Sequence, residues 1–250
     1  MTRPVEAVIF DWGGTLTPWH TVDVRAAWLA YARAGQPAAP LQQVVAVAES
    51  LHLAEDAAWA AVRDHHLSTT FEQVLTAAGV EPAGDGHEAA IRAYEAAWEP
   101  HTWTDPEAAP TLRALRERGL KVGLLSNTLW SRDHHERILD RDGVLALFDG
   151  LVFSSEIRWS KPHPQAFLAA MRAVRTDDPA RVVFVGDRPF DDIHGARSVG
   201  MRTVLVPHSD IPAVQRGHTE AEADAVVHRL SDLVAVVDEW IGGPAGTPPA

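Results

Sequence analysis

Short apolar runs recur along the chain, and the segments between them place their apolar residues at helical spacing. Runs of this length read as buried strands, and alternation with helical patterns predicts an α/β protein with a parallel sheet. Strands are expected at Ala7–Phe10, Lys121–Leu125, Leu151–Phe153, Val182–Val185, Thr203–Val206 and, more weakly, Ala225–Val227. Helices are expected near Ala109–Arg118, Arg132–Leu139, Pro164–Val174, Asp191–Val199 and Ser231–Trp240, with Gly119 and Gly200 placed as helix-ending glycines. From Pro18 to Trp103 the alternation fails: the segment is alanine-rich and helical in pattern, and far too long for an ordinary loop. It reads as a helical domain inserted after the first strand, with Thr69-Thr-Phe-Glu72 as a capping box at one helix start. The expected division is therefore residues 1–17 plus 104–241 as the core, 18–103 as the insertion and 242–250 as a flexible tail rich in glycine and proline.

Composition narrows the function classes. The net charge of −12 argues against a general nucleic-acid binder, which needs a basic footprint. Any anionic ligand must then be met by a local cluster of donors. Cysteine is absent, which excludes disulfides, thiol catalysis and cysteine metal sites. No apolar window approaches the ~18 residues a membrane span requires, and the N-terminal run is too short for a signal peptide, so a cytoplasmic location is expected. Only two of the 22 basic residues are lysine, Lys121 and Lys161.

Four segments carry candidate chemistry. Asp11, in Phe10-Asp-Trp-Gly-Gly-Thr15, ends the first strand at the edge where open parallel sheets bind ligands, although an Asp there also suits a plain turn. Ser126 and Asn127 end the second strand; a hydroxyl there can bond an anionic oxygen, or both residues can serve as turn formers. Lys161 precedes Pro162-His-Pro164, a stiff segment that either fixes a point charge for phosphate or carboxylate or carries an ordinary surface lysine. Asp187, Asp191 and Asp192 crowd a strand end and a helix start. Helix capping explains one acid, whereas three close carboxylates suit a divalent cation that takes oxygen ligands.

Together these segments resemble the haloacid dehalogenase-like hydrolase superfamily across nearly the whole chain. Asp11 with Thr15, Ser126, Lys161 and the Gly186-Asp187…Asp191-Asp192 run stand in the family's order, and the insertion matches its first type of helical cap. The resemblance implies a Rossmann-like parallel core, Asp11 as nucleophile and Mg²⁺ held by Asp11, the Gly13 carbonyl, Asp187 and waters on Asp191 or Asp192, with Asp192 favoured. It further implies Ser126, Asn127, Lys161 and Thr15 as residues that hold a phosphorylated small molecule. One position departs from the family pattern. Phosphatases of the family carry a second Asp two residues after the nucleophile as general acid and base; here Gly13 stands there. Such help is worth roughly 10²–10⁴ in rate. His20, near the entry to the insertion, is the expected substitute and substrate contact. Phosphonoacetaldehyde hydrolases also lack that acid, but they use a cap lysine and this insertion has none. The competing readings are a 2-haloacid dehalogenase-like hydrolase and a non-catalytic ligand-binding member of the fold. Trp28, Trp59 and Trp98 are expected in the core of the insertion, and the adjacent His65 and His66 on solvated surface.

Overall fold

The computed structural model describes residues 4–18, 22–81, 85–207 and 221–242. Six parallel strands form its sheet: β1 Ala7–Phe10, β2 Lys121–Ser126, β3 Gly150–Phe153, β4 Val182–Gly186, β5 Arg202–Leu205 and β6 Ala225–Val226. Their spatial order is β3-β2-β1-β4-β5-β6. β1 and β4 are buried along their whole length, as a parallel sheet covered on both faces demands. The chain runs outward in opposite directions from the centre, so the switch point lies between β1 and β4. Both strands end there in acid-bearing loops.

Helices cover the two faces. α5 (Ala108–Glu117), α6 (Arg132–Arg141), α7 (Pro164–Ala173), α8 (Gly195–Ser198) and α9 (Leu233–Gly242) alternate with the strands. The expected helix at Asp191–Val199 is instead a π-turn at Pro189–His194 running into the short α8. That wider turn sits at the end of the acid-rich loop, and π geometry concentrates at functional sites. Gly119 and Gly200 do take the left-handed conformation that ends a helix, at φ 78° and 91°.

Between β1 and α5 lie the four inserted helices, Val24–Gly35, Leu41–His65, Phe71–Ala77 and Asp85–Trp98. They pack around Trp28, Leu51, Leu75 and Tyr94, all fully buried or nearly so. One acid, Glu55, is buried among them and accepts bonds from both the Trp28 and Trp59 indole N–H groups. The capping box is real but begins one residue later than expected. Thr70 accepts from the Gln73 backbone, and the Gln73 side chain accepts from the Thr70 N–H, while Thr69 is itself buried.

The insertion is not a detached unit. A ring contact runs from Trp98 to Trp130 of the core at 5.1 Å, and from Trp130 to Trp12, beside Asp11, at 6.1 Å. The apolar cluster on this sheet face is therefore continuous with that of the inserted helices. The returning linker is fastened too: Asp142 accepts from the Thr104 N–H and hydroxyl at 2.9 and 2.7 Å. Arg141 lies 3.7 Å over the exposed Trp103 ring. Of the expected tail at 242–250, Gly242 closes α9 and the rest lies outside the described residues. Among the described residues no helix is long and apolar enough to cross a membrane.

Candidate active site

The loop after β1 begins at Asp11, whose N–H donates to the Val185 carbonyl of β4 at 2.9 Å. That bond continues the sheet one step past the strand and seats the carboxylate at the switch point. The turn closes on Trp12, whose carbonyl accepts from the N–H groups of Thr15, Leu16 and Thr17. Gly14 makes the turn possible at φ 88°, a conformation that costs other residues dearly. Gly13 is not in that region, and a Cβ on it would meet no atom within 4 Å.

After β4, Gly186 admits the next acid-bearing turn. A side chain there would strike Asp192, which a Cβ would approach to 2.4 Å. The glycine lets Asp192 fold back against the strand end, where its Oδ2 accepts from the Arg188 N–H at 2.9 Å.

Lys161 closes the cluster. It is 3% exposed, and its Nζ lies 2.5 Å from Asp11 Oδ1 and 2.7 Å from Asp192 Oδ1. The Thr15 hydroxyl reaches the other Asp11 oxygen at 3.4 Å. Asp187 completes the set, and carboxylate oxygens of Asp11, Asp187 and Asp192 lie within 4.8 Å of one another.

Electrostatics show what the cluster lacks. Both Asp187 oxygens are buried without a hydrogen-bond partner, and the Arg188 guanidinium stands 4.0 Å away. Burial, then the charges of Asp11 and Asp192, push the Asp187 carboxyl far above the usual carboxylate range. Burial also raises Asp11, with Lys161 pulling the other way. Burial works against the Lys161 ammonium, but Asp11 and Asp192 outweigh it and raise its pKa. Three buried carboxylates thus share one buried ammonium. An oxygen-only set with surplus negative charge and two unbonded oxygens fits a hard divalent cation. Asp192, not Asp191, belongs to this set; the Asp191 carboxyl, pushed up to about 6 by burial and by Asp192, is outside it.

A model of haloacid dehalogenase-like hydrolases matches residues 5–200. The chain belongs to that family. A glyceraldehyde 3-phosphate phosphatase of Methanopyrus kandleri is 31% identical over 68% of this chain and 71% of its own. Among solved structures, a phosphatase of the same family from Thermococcus onnurineus aligns at TM-score 0.61 with 21% identity, over 93% of this chain and 98% of that one. A 2-haloacid dehalogenase from Pseudomonas syringae aligns at TM-score 0.60 with 24% identity, over 94% of this chain and 99% of that one. These structures share the fold with both chemistries, so the fold alone does not choose between them.

The remaining residues of this haloacid dehalogenase-like hydrolase fall into four groups. Ser126 is buried at the end of β2, level with the acids. Asn127 points elsewhere, since its Nδ2 donates to the Lys161 carbonyl at 2.9 Å and its Oδ1 accepts from the Lys161 N–H at 2.8 Å. The amide expected to face substrate is committed to the lysine backbone, because the loops after β2 and β3 pack side by side. Trp19 and His20 lie outside the described residues. His65 is solvated as expected, whereas His66 is half-buried. It leaves its helix at φ 56°, with Nδ1 buried and its ring 6.4 Å from Phe190. Two features have no counterpart in the sequence expectations: the Asn127–Lys161 clamp and the contact of the His66 turn with the core. The Pro162-His-Pro164 stiffness points at Lys161 itself, and nothing local points at its partners.

Proposed function

We propose that this hydrolase transfers the phosphoryl group of a small phosphorylated metabolite to water, through a covalent intermediate on Asp11. The observation that carries the reading is the buried acid cluster around Lys161, with Asp187 left unbonded. A dehalogenase that needs no cation has no use for such a site. The relative named as a phosphatase adds support from outside the geometry.

In this reading an Asp11 oxygen forms a bond to phosphorus while the bond to the ester oxygen breaks, and the leaving oxygen takes up a proton. Water then attacks phosphorus, the acyl phosphate P–O bond breaks, and the Asp11 carboxylate is regenerated with release of phosphate. Lys161 and Ser126 bind the phosphoryl oxygens, and Thr15 holds the second Asp11 oxygen in line. Asp11, Asp187, Asp192 and the Gly13 carbonyl would hold Mg²⁺, which offsets the charge between the carboxylate nucleophile and an anionic phosphoryl group. The inserted helices of residues 18–103 act as a cap that limits water at this edge of the sheet. Gly13 offers no acid to the leaving oxygen, so activated esters and substrates that supply their own proton are favoured, and His20 is the first residue to test as a replacement.

The 2-haloacid dehalogenase alternative rests on Gly13, since that chemistry does without the second acid. A screen of phosphate esters, including an activated aryl phosphate, with and without magnesium decides. Magnesium-dependent phosphate release that vanishes in Asp11→Asn is expected. Metal-independent halide release from 2-haloacids overturns the reading, and tight ligand binding with no turnover points to a non-catalytic member.

A further inference from the structure

The Lys161 loop is held from two sides. From the core, Asn127 takes both backbone groups of Lys161. From the insertion, the turn after the Leu41–His65 helix lies along residues 158–160. Leu67 and Trp159 form an antiparallel bridge. The Ser68 N–H donates to the Arg158 carbonyl at 3.0 Å, and the Ser160 N–H donates to the His66 carbonyl at 2.9 Å. The hydroxyls of Ser68 and Ser160 meet at 3.2 Å.

Three residues further on, the Phe71 N–H donates to the Leu129 carbonyl at 2.9 Å, in the loop that follows Ser126 and carries Asn127. One six-residue turn thus bonds to both loops that present the phosphate-binding groups. Its geometry is specialised. His66 adopts a left-handed backbone at φ 56°, uncommon for a residue that is not glycine, and so ends the helix where its carbonyl meets Ser160. Ser160 is buried, so a hydroxyl there needs a partner, and Ser68 supplies it.

We propose that Ser68 is a positioning residue: through Ser160 it seats the insertion on the Lys161 loop and keeps the ammonium between Asp11 and Asp192. The proposal rests on the role given above to Lys161, but its structural half stands without it. Losing the hydroxyl leaves the backbone bridge in place, so the fold survives while the loop gains freedom. A displaced ammonium slows the attack of Asp11 on phosphorus, so the loss falls on the first, phosphorylating half-reaction.

The test compares Ser68→Ala, Ser68→Thr, Ser160→Ala and the Ser68→Ala/Ser160→Ala pair. Amide hydrogen exchange is read on the peptide covering Arg158–Lys161, with β3 as internal reference, and the single-turnover rate of aryl release is read on an activated aryl phosphate with magnesium. Removing either hydroxyl is expected to speed exchange in that peptide and to slow single-turnover aryl release by about three- to ten-fold, the range of one ordinary hydrogen bond. Threonine at 68 restores both readouts. The pair behaves like either single variant, because both remove the same bond. Unchanged exchange, an unchanged single-turnover rate, or additive effects in the pair overturn the proposal. If the wild-type chain hydrolyses no phosphate ester, the functional reading fails by itself, and the exchange of the Lys161 amide still decides whether Ser68 holds the loop.

Discussion

Asn127 and Lys161 are joined side chain to backbone: one carboxamide accepts the lysine N–H at 2.8 Å and donates to its carbonyl at 2.9 Å. Two bonds from a planar group fix both position and orientation of the residue that carries the buried ammonium. An amide is the side chain that offers a donor and an acceptor side by side.

Asn127→Ala is therefore expected to lower kcat by roughly ten-fold or more and to cost about 1–3 kcal/mol of stability, the range for leaving buried polar groups unpaired. Asn127→Asp keeps the acceptor but sets a carboxylate against the Lys161 carbonyl, and is expected to fare no better than alanine. Denaturant unfolding and steady-state kinetics check both. Wild-type kcat in a folded Asn127→Ala protein refutes the role.

Asp187 gives a prediction about metal removal. Its carboxyl titrates well above the ordinary range in the metal-free protein, because of burial and then of Asp11 and Asp192. The folded state thus holds a proton that the unfolded chain releases near pH 4, so metal-free stability falls as pH rises through the folded value. Magnesium is expected to raise the melting temperature at neutral pH, and Asp187→Ala to abolish that increase while stabilising the metal-free protein. Equal melting temperatures with and without magnesium in the wild type count against the cation site.

Gly13→Asp is expected to fold and to speed hydrolysis of alkyl phosphates by up to about 10², the scale of general acid–base help. The backbone there is ordinary and a Cβ has open space. Gly14→Ala, at φ 88°, is expected to destabilise by about 1 kcal/mol or more. Burst kinetics on an activated aryl phosphate provide the check: the wild type shows fast release followed by slow turnover, and Gly13→Asp shortens the slow phase. Full-speed alkyl phosphate hydrolysis by the wild type, without a burst, means that another group already does the acid–base work.

His135 sets a pH limit on stability. Its ring stacks on Phe153 at 4.5 Å, its Nε2 lies 2.9 Å from the Thr128 hydroxyl, and burial holds its pKa down to about 3, helped by His134 and Arg132. Below pH 6.5 the unfolded imidazole binds a proton that the folded one refuses, so folding stability declines as pH falls toward 3. The slope from this one group approaches about 1.4 kcal/mol per pH unit. His135→Gln is expected to flatten the dependence between pH 6 and 4 in urea unfolding; an unchanged slope assigns it to other groups.

The amino-acid sequence by itself determined the six strands, the helical character of the segment after the first of them, and Asp11, Lys161 and Asp187 as candidate groups, because each rests on information local to the chain. A buried strand shows as an apolar run, and a carboxylate at its end shows beside it. The tertiary structure decided what those groups meet. Asn127 and Lys161 are 34 residues apart, and Ser68 and Ser160 are 92 apart. Neither pairing leaves a local signature, because serine and asparagine in loops are expected as turn formers wherever they stand. The same reason separates Asp192 from Asp191. They are sequence neighbours with one chemistry, and only the fold of the π-turn against Gly186 brings one of them to the cluster.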